Sequence, residues 1–354
     1  MIAAADGAVD WVVVSYGRPN YDIPHVTFRT LPAPIDYPRV GRLLSHPKLL
    51  WLNVVYLLPL VPFVWWCALR YRVRVVVANG VVSAGIAVPL RLFGTRLLLA
   101  YHGTLGHAPA PLLASLKRIL APYEAAFVNS TGSAEDLALV FPRRRIQIVE
   151  LWADARFFAV PLERDRSDRL AVLFVGRQDP EKFAQCLRVC ASLAAEGVVT
   201  LRAVGDGPLA WRVKGVGLEQ LGYIADVTEL AAQYARADVV WAPADVTYLS
   251  IPGVEALAAG CPVIVSDRPA VDVKAAAGAR VARDLVKPPL GVVVDGDTDD
   301  EAETTLRAWA AVGVDVEARR RCRAYAQEHH SDRNLDAVVS FVIGPREGKR
   351  ESPS

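Results

Sequence analysis

Three short stretches of this 354-residue chain combine residue types suited to a phosphorylated ligand. In Val172-Leu173-Phe174-Val175-Gly176-Arg177-Gln178-Asp179-Pro180-Glu181-Lys182 an apolar run ends at a glycine and passes into a helix start. Pro180 falls in the first turn, where a missing N–H costs little. Arg177 is a planar, forked donor and Lys182 a point charge, a combination that fits a diphosphate. Cations at a helix N-terminus oppose its dipole unless an anion binds there, so the alternative is a solvated pair. In Ala203-Val204-Gly205-Asp206-Gly207-Pro208 two glycines permit a tight turn and close approach of a ligand, and Asp206 reads as a turn former before it reads as a site residue. The third stretch, residues 250–264, begins as a Ser/Pro/Gly loop (Ser250-Ile251-Pro252-Gly253-Val254) and continues into an Ala-rich helix ended by Gly260. Glu255 stands on that otherwise apolar helix, where a carboxylate can accept two hydroxyl hydrogen bonds from a ribose or simply complement the helix dipole.

These stretches need strands to place them. Runs rich in β-branched residues predict strands at Trp11–Tyr16, Val26–Arg29, Val73–Val77, Arg96–Ala100, Ala125–Asn129 and Ile146–Glu150 in the first half. In the second half they fall at Leu170–Val175, Val199–Val204, Val239–Ala242, Val263–Val265 and Gly291–Val294. Most spacings accommodate crossover helices, so parallel sheets with helices on both faces are expected. The length exceeds what one core usually supports, which predicts two domains. The predicted division is an N-terminal Rossmann-like domain over 1–161, a charged linker over 162–169 and a C-terminal Rossmann-like domain over 170–330. A helix over 331–343 then returns to the first domain, and the polar segment 344–354 is expected to be a disordered tail.

The order of motifs, GR….EK, then VGDGP, then GYI with a following helix and ADVVWAP, then GVEALAAGCPVIVSD, resembles the retaining glycosyltransferases of family four. The resemblance covers essentially the whole chain and is best from about Leu170 to Val265. In the first half it includes Ala100-Tyr101-His102-Gly103, Val128-Asn129-Ser130 and Leu151-Trp152-Ala153-Asp154. It implies an α/β GT-B fold, two Rossmann-like domains with parallel sheets facing across an interdomain cleft. It also implies a nucleotide-diphosphate-sugar as donor substrate, with no cofactor. By position it puts Arg177 and Lys182 on the donor diphosphate, Glu255 on the nucleotide ribose and His102 near the transferred sugar; a structural histidine at a strand end is the alternative for His102. Gly176, Gly205, Tyr223, Thr247, Ser250, Ile251, Gly253 and Val254 complete the expected donor site, with Tyr223 either walling the base pocket or packing in the core. Fixed cationic groups agree with the chemistry, because the leaving diphosphate must be stabilised as the glycosidic bond breaks. Two departures stand out. The family has a second Glu eight positions before 255, where this chain has Thr247, with Asp245 two residues off register. The first strand leads into Gly17-Arg18-Pro19-Asn20 without the family's glycine pair, so either the first βα unit is reduced or the start is too late.

Composition narrows the setting. Hydrophobic residues make up 53% and charged residues 22%, which excludes a disordered chain. The net charge of +2 hides an asymmetry: no Asp or Glu occurs between Asp36 and Glu124, whereas ten Lys/Arg do. Such a surface suits lipid headgroups or a phosphorylated acceptor, or reflects compositional drift; nucleic acid is not expected as a partner. Leu49 to Leu69 is uncharged for 21 residues and contains Asn53, Pro59, Pro62 and three tryptophans. It reads as buried in the domain, as lying in the membrane interface, or as spanning a bilayer. Five scattered cysteines without a CxxC pair suggest neither a disulfide framework nor a zinc cage, and Cys186 and Cys190 read as buried neighbours on one helix face. His329 and His330, adjacent on a helix, diverge too far for a ligand pair. With no Asp-x-Asp in the donor region, no metal is expected. The function these features suggest is sugar transfer to a lipid-linked or other anionic glycan acceptor, by a cytoplasmic protein peripheral on the cytosolic membrane face. A nucleotide-sugar 2-epimerase of the same architecture and a nucleotide-binding scaffold without turnover are the alternatives.

Overall fold

The computed structural model describes residues 11–16, 26–31, 58–102, 105, 108–164, 167–243, 249–267 and 289–343. The first half contains β1 (Trp11–Tyr16) and β2 (Val26–Leu31), paired in parallel as a separate sheet, then β3 (Val75–Asn79), β4 (Arg96–Tyr101), β5 (Ala125–Val128) and β6 (Ile146–Ile148). The last four form a parallel sheet in the order β3-β4-β5-β6. α1 (Leu60–Arg70) precedes β3, and the crossover connections use α2 (Gly80–Ala87), α3 (Ala110–Leu120) and α4 (Thr131–Leu137). Strand alternation divides β4 between two cores. Leu97, Leu99 and Tyr101 pack with Leu116, Leu120 and Leu137 on one face, while Leu98 and Ala100 join Phe127 on the other.

After the short α5 (Ala155–Phe158), the second half builds β7 (Leu170–Val175), α6 (Pro180–Ala195), β8 (Val199–Val204), β9 (Leu218–Gly222), α7 (Val227–Ala235), β10 (Val239–Pro243), α8 (Ile251–Ala258), β11 (Val263–Asp267) and β12 (Gly291–Asp295). The helices α9 (Asp300–Val312), α10 (Val316–His329) and α11 (Arg333–Ile343) follow. Six parallel strands run in the order β12-β11-β10-β7-β8-β9. Buried on both faces, they read as near-continuous apolar runs such as LAVLFV, which made most of them legible. β9 was not anticipated: Leu218-Glu219-Gln220-Leu221-Gly222 is half polar because it lies at the sheet edge. Elsewhere the strands agree with expectation to within a few residues, β3 starting two positions later than Val73. Cys186 and Cys190 are both buried in the core between α6 and the sheet, in keeping with the packing reading.

The chain crosses between halves twice, and the crossings are tied together. Ala153 donates its N–H to His330 O at 2.9 Å, and His330 Nδ1 lies 2.9 Å from Leu151 O. Asn334 Nδ2 also donates to Leu151 O, at 3.3 Å. Burial lowers His330 to about 4, so the ring is neutral at ordinary pH and Nδ1–H donates to the carbonyl. Beyond the second crossing, α11 covers the first sheet through Val338 and Val342, with Phe341 edge-on to Phe127 at 5.6 Å. Ala153, Phe157 and Val160 pack in the second core although the sequence-based boundary assigns them to the first domain; we therefore place the first crossing at Leu151–Ala153.

Of the apolar stretch 49–69, residues 49–57 lie outside the described residues. The remainder is not part of a spanning helix. α1 begins only at Leu60 and runs for 11 residues, with Pro59 at its N-cap and Pro62 in the first turn. The prolines thus start the helix rather than kink it, because first-turn N–H groups lack intrahelical partners anyway. No described helix is long and apolar enough to cross a membrane. α1 buries Leu60, Cys67 and Ala68, and Trp65 Nε1 donates to Ile86 O on α2. Its outer side leaves Trp66 and Leu69 each 52% exposed, a large apolar area for a surface helix.

Candidate functional site

The strand order of the second sheet fixes where a ligand can sit. From β7 the chain winds one way to β8 and β9, then returns to place β10 on the other side of β7. At such a switch point the loops leave in opposite directions, and open α/β sheets take ligands in the crevice beyond the carboxyl ends of the strands, here β7 and β10. Gly176-Arg177 leaves from β7. The loop after β10 contains Asp245 and Thr247, which lie outside the described residues, and leads to Ser250 and α8.

Two glycine loops on the β7–β8 side are bonded backbone to backbone. Gly176 N donates to Val204 O (3.0 Å), Gln178 N to Asp206 O (2.9 Å) and Leu209 N to Gln178 O (3.0 Å). The side chain of Gln178, fully buried, adds Nε2 bonds to Gly205 O (3.3 Å) and Gln220 Oε1 (2.9 Å). The approach is so close that only glycine fits: with φ +119°, a Cβ on Gly205 would lie 2.0 Å from Gly176 O. Asp206 accepts from the N–H of Gly207 at 2.7 Å and is the turn former expected. Gln178 is a residue that sequence reasoning missed, because its partners lie 27 and 42 positions away.

This braced backbone carries the cations. Arg177 is 71% exposed, and its Nη2 lies 2.5 Å from Asp179 Oδ2, the N-cap residue of α6. Lys182, half-buried, stands in the first turn of α6, its N–H bonded to Asp179 O at 3.1 Å. Both therefore stand at the β7 end, where an incoming anion would also meet the helix N-terminus.

On the β10 side Glu255 projects from α8. Tyr234 of α7 donates to its Oε2 at 2.8 Å. Burial is the main influence on the carboxyl, raising it to about 7, against which the Tyr234 hydrogen bond acts; the negative charge of Asp154 raises it further. A buried carboxyl with one phenol partner keeps a second oxygen able to accept from hydroxyl donors. Ser250 is the N-cap of α8, yet its side chain caps no N–H and its Oγ is buried with no hydrogen-bond partner. Ile251 is 55% exposed at the helix start. Gly253 packs against Leu249, whose Cδ1 would be 2.5 Å from an added Cβ. Val254 has its side chain in the core and its N–H bonded to Ser250 O at 3.0 Å, so it fixes the start of the helix beside Ser250. Tyr223, just past β9, is 78% exposed, which removes the core-packing alternative and leaves its ring free to lie along a planar ligand.

His102 belongs to the other sheet. It follows β4, is exposed, and with Asn79 and Asn129 lines a largely apolar cavity of about 1530 Å³ between β1–β2 and β3. The structure thus groups Gly176, Arg177, Lys182 and Gly205 at the neighbouring ends of β7 and β8, Ser250, Ile251 and Glu255 on the helix after β10, and His102 on the opposite domain. Its segment is held by Asp136, a buried carboxylate that accepts from Tyr101 Oη and from Leu105 N (2.8 Å). Among the described residues no group of three or more His, Cys, Asp or Glu side chains is placed to hold a metal ion. The rings of His329 and His330 lie 6.4 Å apart at 58°, with His330 turned to Leu151.

Comparison with known proteins agrees with the fold. Residues 169–309 match the family model described as glycosyl transferases group 1. A GDP-mannose-dependent alpha-(1-6)-phosphatidylinositol dimannoside mannosyltransferase of Mycobacterium tuberculosis is 31% identical over 137 residues, covering 37% of this chain and 33% of that protein. The chain thus aligns with about a third of the length of the curated relative it matches. Among solved structures, the sucrose-phosphate synthase of Thermosynechococcus elongatus superposes with a TM-score of 0.67 at 19% identity, over 96% of this chain and 90% of that one. Anabaena Alr3699/HepE in complex with UDP-glucose gives 0.65 at 15% identity, over 94% and 99%. At these identities the structures speak for the fold alone. Two Rossmann-like domains of parallel sheet, joined by a double crossing and matched across nearly their whole length, make this a GT-B-fold protein whose C-terminal domain is related to the group 1 glycosyl transferases.

Proposed function

We propose that the chain is a glycosyltransferase that takes a nucleotide-diphosphate-sugar at the β7/β10 crevice and transfers the sugar, with retention, to a lipid-linked or other anionic acceptor at a membrane surface. The observation that carries this reading is the pairing, across one switch point, of a braced double-glycine loop bearing Arg177 and Lys182 with the buried carboxyl of Glu255. The glycine loops let a diphosphate approach backbone closely, and the cations stabilise negative charge as the glycosidic bond breaks. Glu255 accepts from the ribose hydroxyls, and Tyr223 lies along the base. His102, from the facing domain, hydrogen-bonds the transferred sugar or orders the acceptor. Arg177 must turn from Asp179 to the diphosphate, a rearrangement within reach of an exposed side chain. The protein has a nucleotide-sugar site with no need for a metal in this reading.

The acceptor half of the proposal rests on the first domain. Trp66 and Leu69 stand exposed on α1, with Phe63 stacked on Trp66 at 6.0 Å, and Arg70 and Arg72 follow immediately. The short 3-10 segment Val88–Phe93 ends in the exposed Leu92 and Phe93, close to the same end of β3 and β4, since Arg96 N donates to Arg74 O. Apolar side chains beside arginines suit an anionic lipid surface, where burial and charge act together. The matched mycobacterial relative is named for a phosphatidylinositol-based acceptor, which agrees with that chemistry.

Incubating the full chain with a panel of nucleotide sugars, with and without a membrane-lipid extract, tests the proposal. The expected result is nucleotide diphosphate released in step with a glycosylated lipid whose new linkage keeps the donor's anomeric configuration. An epimerised donor would assign the fold to the 2-epimerase chemistry, and binding without turnover would assign it to a scaffold.

A further inference from the structure

The ribose-facing carboxyl is not held by its own helix. Glu255 on α8 makes its hydrogen bond to Tyr234, which belongs to α7 and is separated from it by 21 positions. Tyr234 is fully buried, and its ring is fixed edge-on against Phe157 of α5 at 5.2 Å and 85°. Its hydroxyl has two acceptors within reach, Glu255 Oε2 at 2.8 Å and Pro252 O at 3.4 Å. A phenol has one proton to donate, and the shorter contact to a charged acceptor takes it. Among the described residues Oε1 of Glu255 has no recorded partner, so one oxygen is held and the other is left for a ligand.

We propose that Tyr234 is a positioning residue for donor recognition: it clamps one oxygen of Glu255, turns the other to the ribose, and keeps the carboxyl in its charged, accepting form. The proposal rests on the reading that Glu255 receives the nucleotide ribose. A hydrogen bond to the ionised form favours that form, so the phenol opposes the burial that would otherwise keep Glu255 protonated and poorer as an acceptor. Among the described residues the other ionisable groups that act on the pair lie on neighbouring elements. Asp154, itself bonded to Arg156, repels the Glu255 charge, Asp226 caps α7 and interacts with Arg156, and Cys261 Sγ lies 3.4 Å from Tyr234 O.

The test is a pH series of calorimetric titrations of the full chain with GDP-mannose and UDP-glucose, whose diphosphate diesters have no proton to lose near neutrality. Subtracting the profile of Glu255→Gln isolates the part of the affinity that depends on the carboxylate. In the wild type that part rises with pH through about 7, the value at which Glu255 ionises. Tyr234→Phe keeps the ring and its contact with Phe157 but removes the donor, and the midpoint should move up by about one to two pH units. Site-specific 3,5-difluorotyrosine at 234, a stronger donor of the same shape, should move it down and covers the case in which Tyr234→Phe does not fold. An unchanged midpoint, with affinity intact or uniformly weakened, means Tyr234 is packing only and overturns the inference. If neither sugar nucleotide binds the wild type, the ribose reading has failed instead. The clamp is then read from the carboxyl infrared band, taken as wild type minus Glu255→Gln: a band midpoint indifferent to Tyr234→Phe would sink it as well.

Discussion

The two sheets end differently. The C-terminal sheet ends at its switch point in backbone, with Gly176, Gly205 and Gly207 so closely bonded that an added Cβ at Gly205 would lie 2.0 Å from Gly176 O. The N-terminal sheet ends in side chains, Asn79, His102 and Asn129, above a cavity lined mainly by valine and alanine. A site built from backbone has little freedom to change its residues, whereas a face built from side chains can be re-lettered without touching the fold. That difference accords with a family match confined to residues 169–309, and with a superposition that nevertheless covers 96% of the chain. The first domain shares the architecture of the solved structures outside the stretch that the family model matches.

The contrast is most sharply broken at Gly205. Gly205→Ala introduces both a backbone clash and an L-residue at φ +119°, and should cost about 3 kcal/mol or more in denaturant unfolding while abolishing nucleotide binding. If Gly205→Ala unfolds like the wild type, the two loops are not braced as described. The same kind of substitution on the N-terminal face, Asn129→Ala, should leave nucleotide affinity unchanged.

Glu255 gives the next effect, of opposite sign for stability and function. Its folded-state value of about 7 stands above the ordinary 4.5, so the folded state binds the proton more tightly than the unfolded chain. Stability is then fully present below 4.5 and falls as pH rises from there to about 7, by on the order of 3 kcal/mol as an upper figure. Glu255→Gln should therefore stabilise the ligand-free protein at pH 8 and do little at pH 4.5, measured as the difference in unfolding midpoints at the two pH values. Equal effects at both pH values would mean that the carboxyl is not held near neutrality.

On the first domain, Trp66→Ala combined with Leu69→Ala should leave the fold intact at a cost of about 1–3 kcal/mol in unfolding, because each side chain is half buried and Trp66 stacks on Phe63. The pair should reduce flotation with anionic liposomes by about tenfold or more. Flotation indifferent to the substitutions, or to lipid charge, removes α1 as the contact. The smallest change is at the donor-side ion pair of exposed Arg177 with Asp179, whose side chain is 15% exposed. Asp179→Asn releases Arg177 and should tighten nucleotide binding by about two- to fivefold with no measurable effect on folding.

Much of the C-terminal domain was legible because its information is local. Val172-Leu173-Phe174-Val175-Gly176 announces strand and turn together, and Gly260-Cys261-Pro262 announces a helix end. Strand β9 was not, since an edge strand with Glu219 and Gln220 lacks the apolar signal that burial on both faces imposes. Gln178, Tyr234 and Asp136 were also missed, for a different reason. Each acts through partners 21 to 42 positions away, and only the folded sheet brings them together. The apolar run of 21 residues left three readings open, because its composition does not reveal that the helix starts at Leu60.

The central claim is that the β7/β10 crevice holds a nucleotide diphosphate between Lys182 and Arg177 on one side and Glu255 on the other. Calorimetric titration of the full chain with UDP and GDP, beside Lys182→Ala, Arg177→Ala and Glu255→Ala, tests it most directly. The account predicts one bound nucleotide per chain in the wild type and an affinity at least about tenfold weaker in each variant. Wild-type binding that all three variants retain undiminished would contradict it.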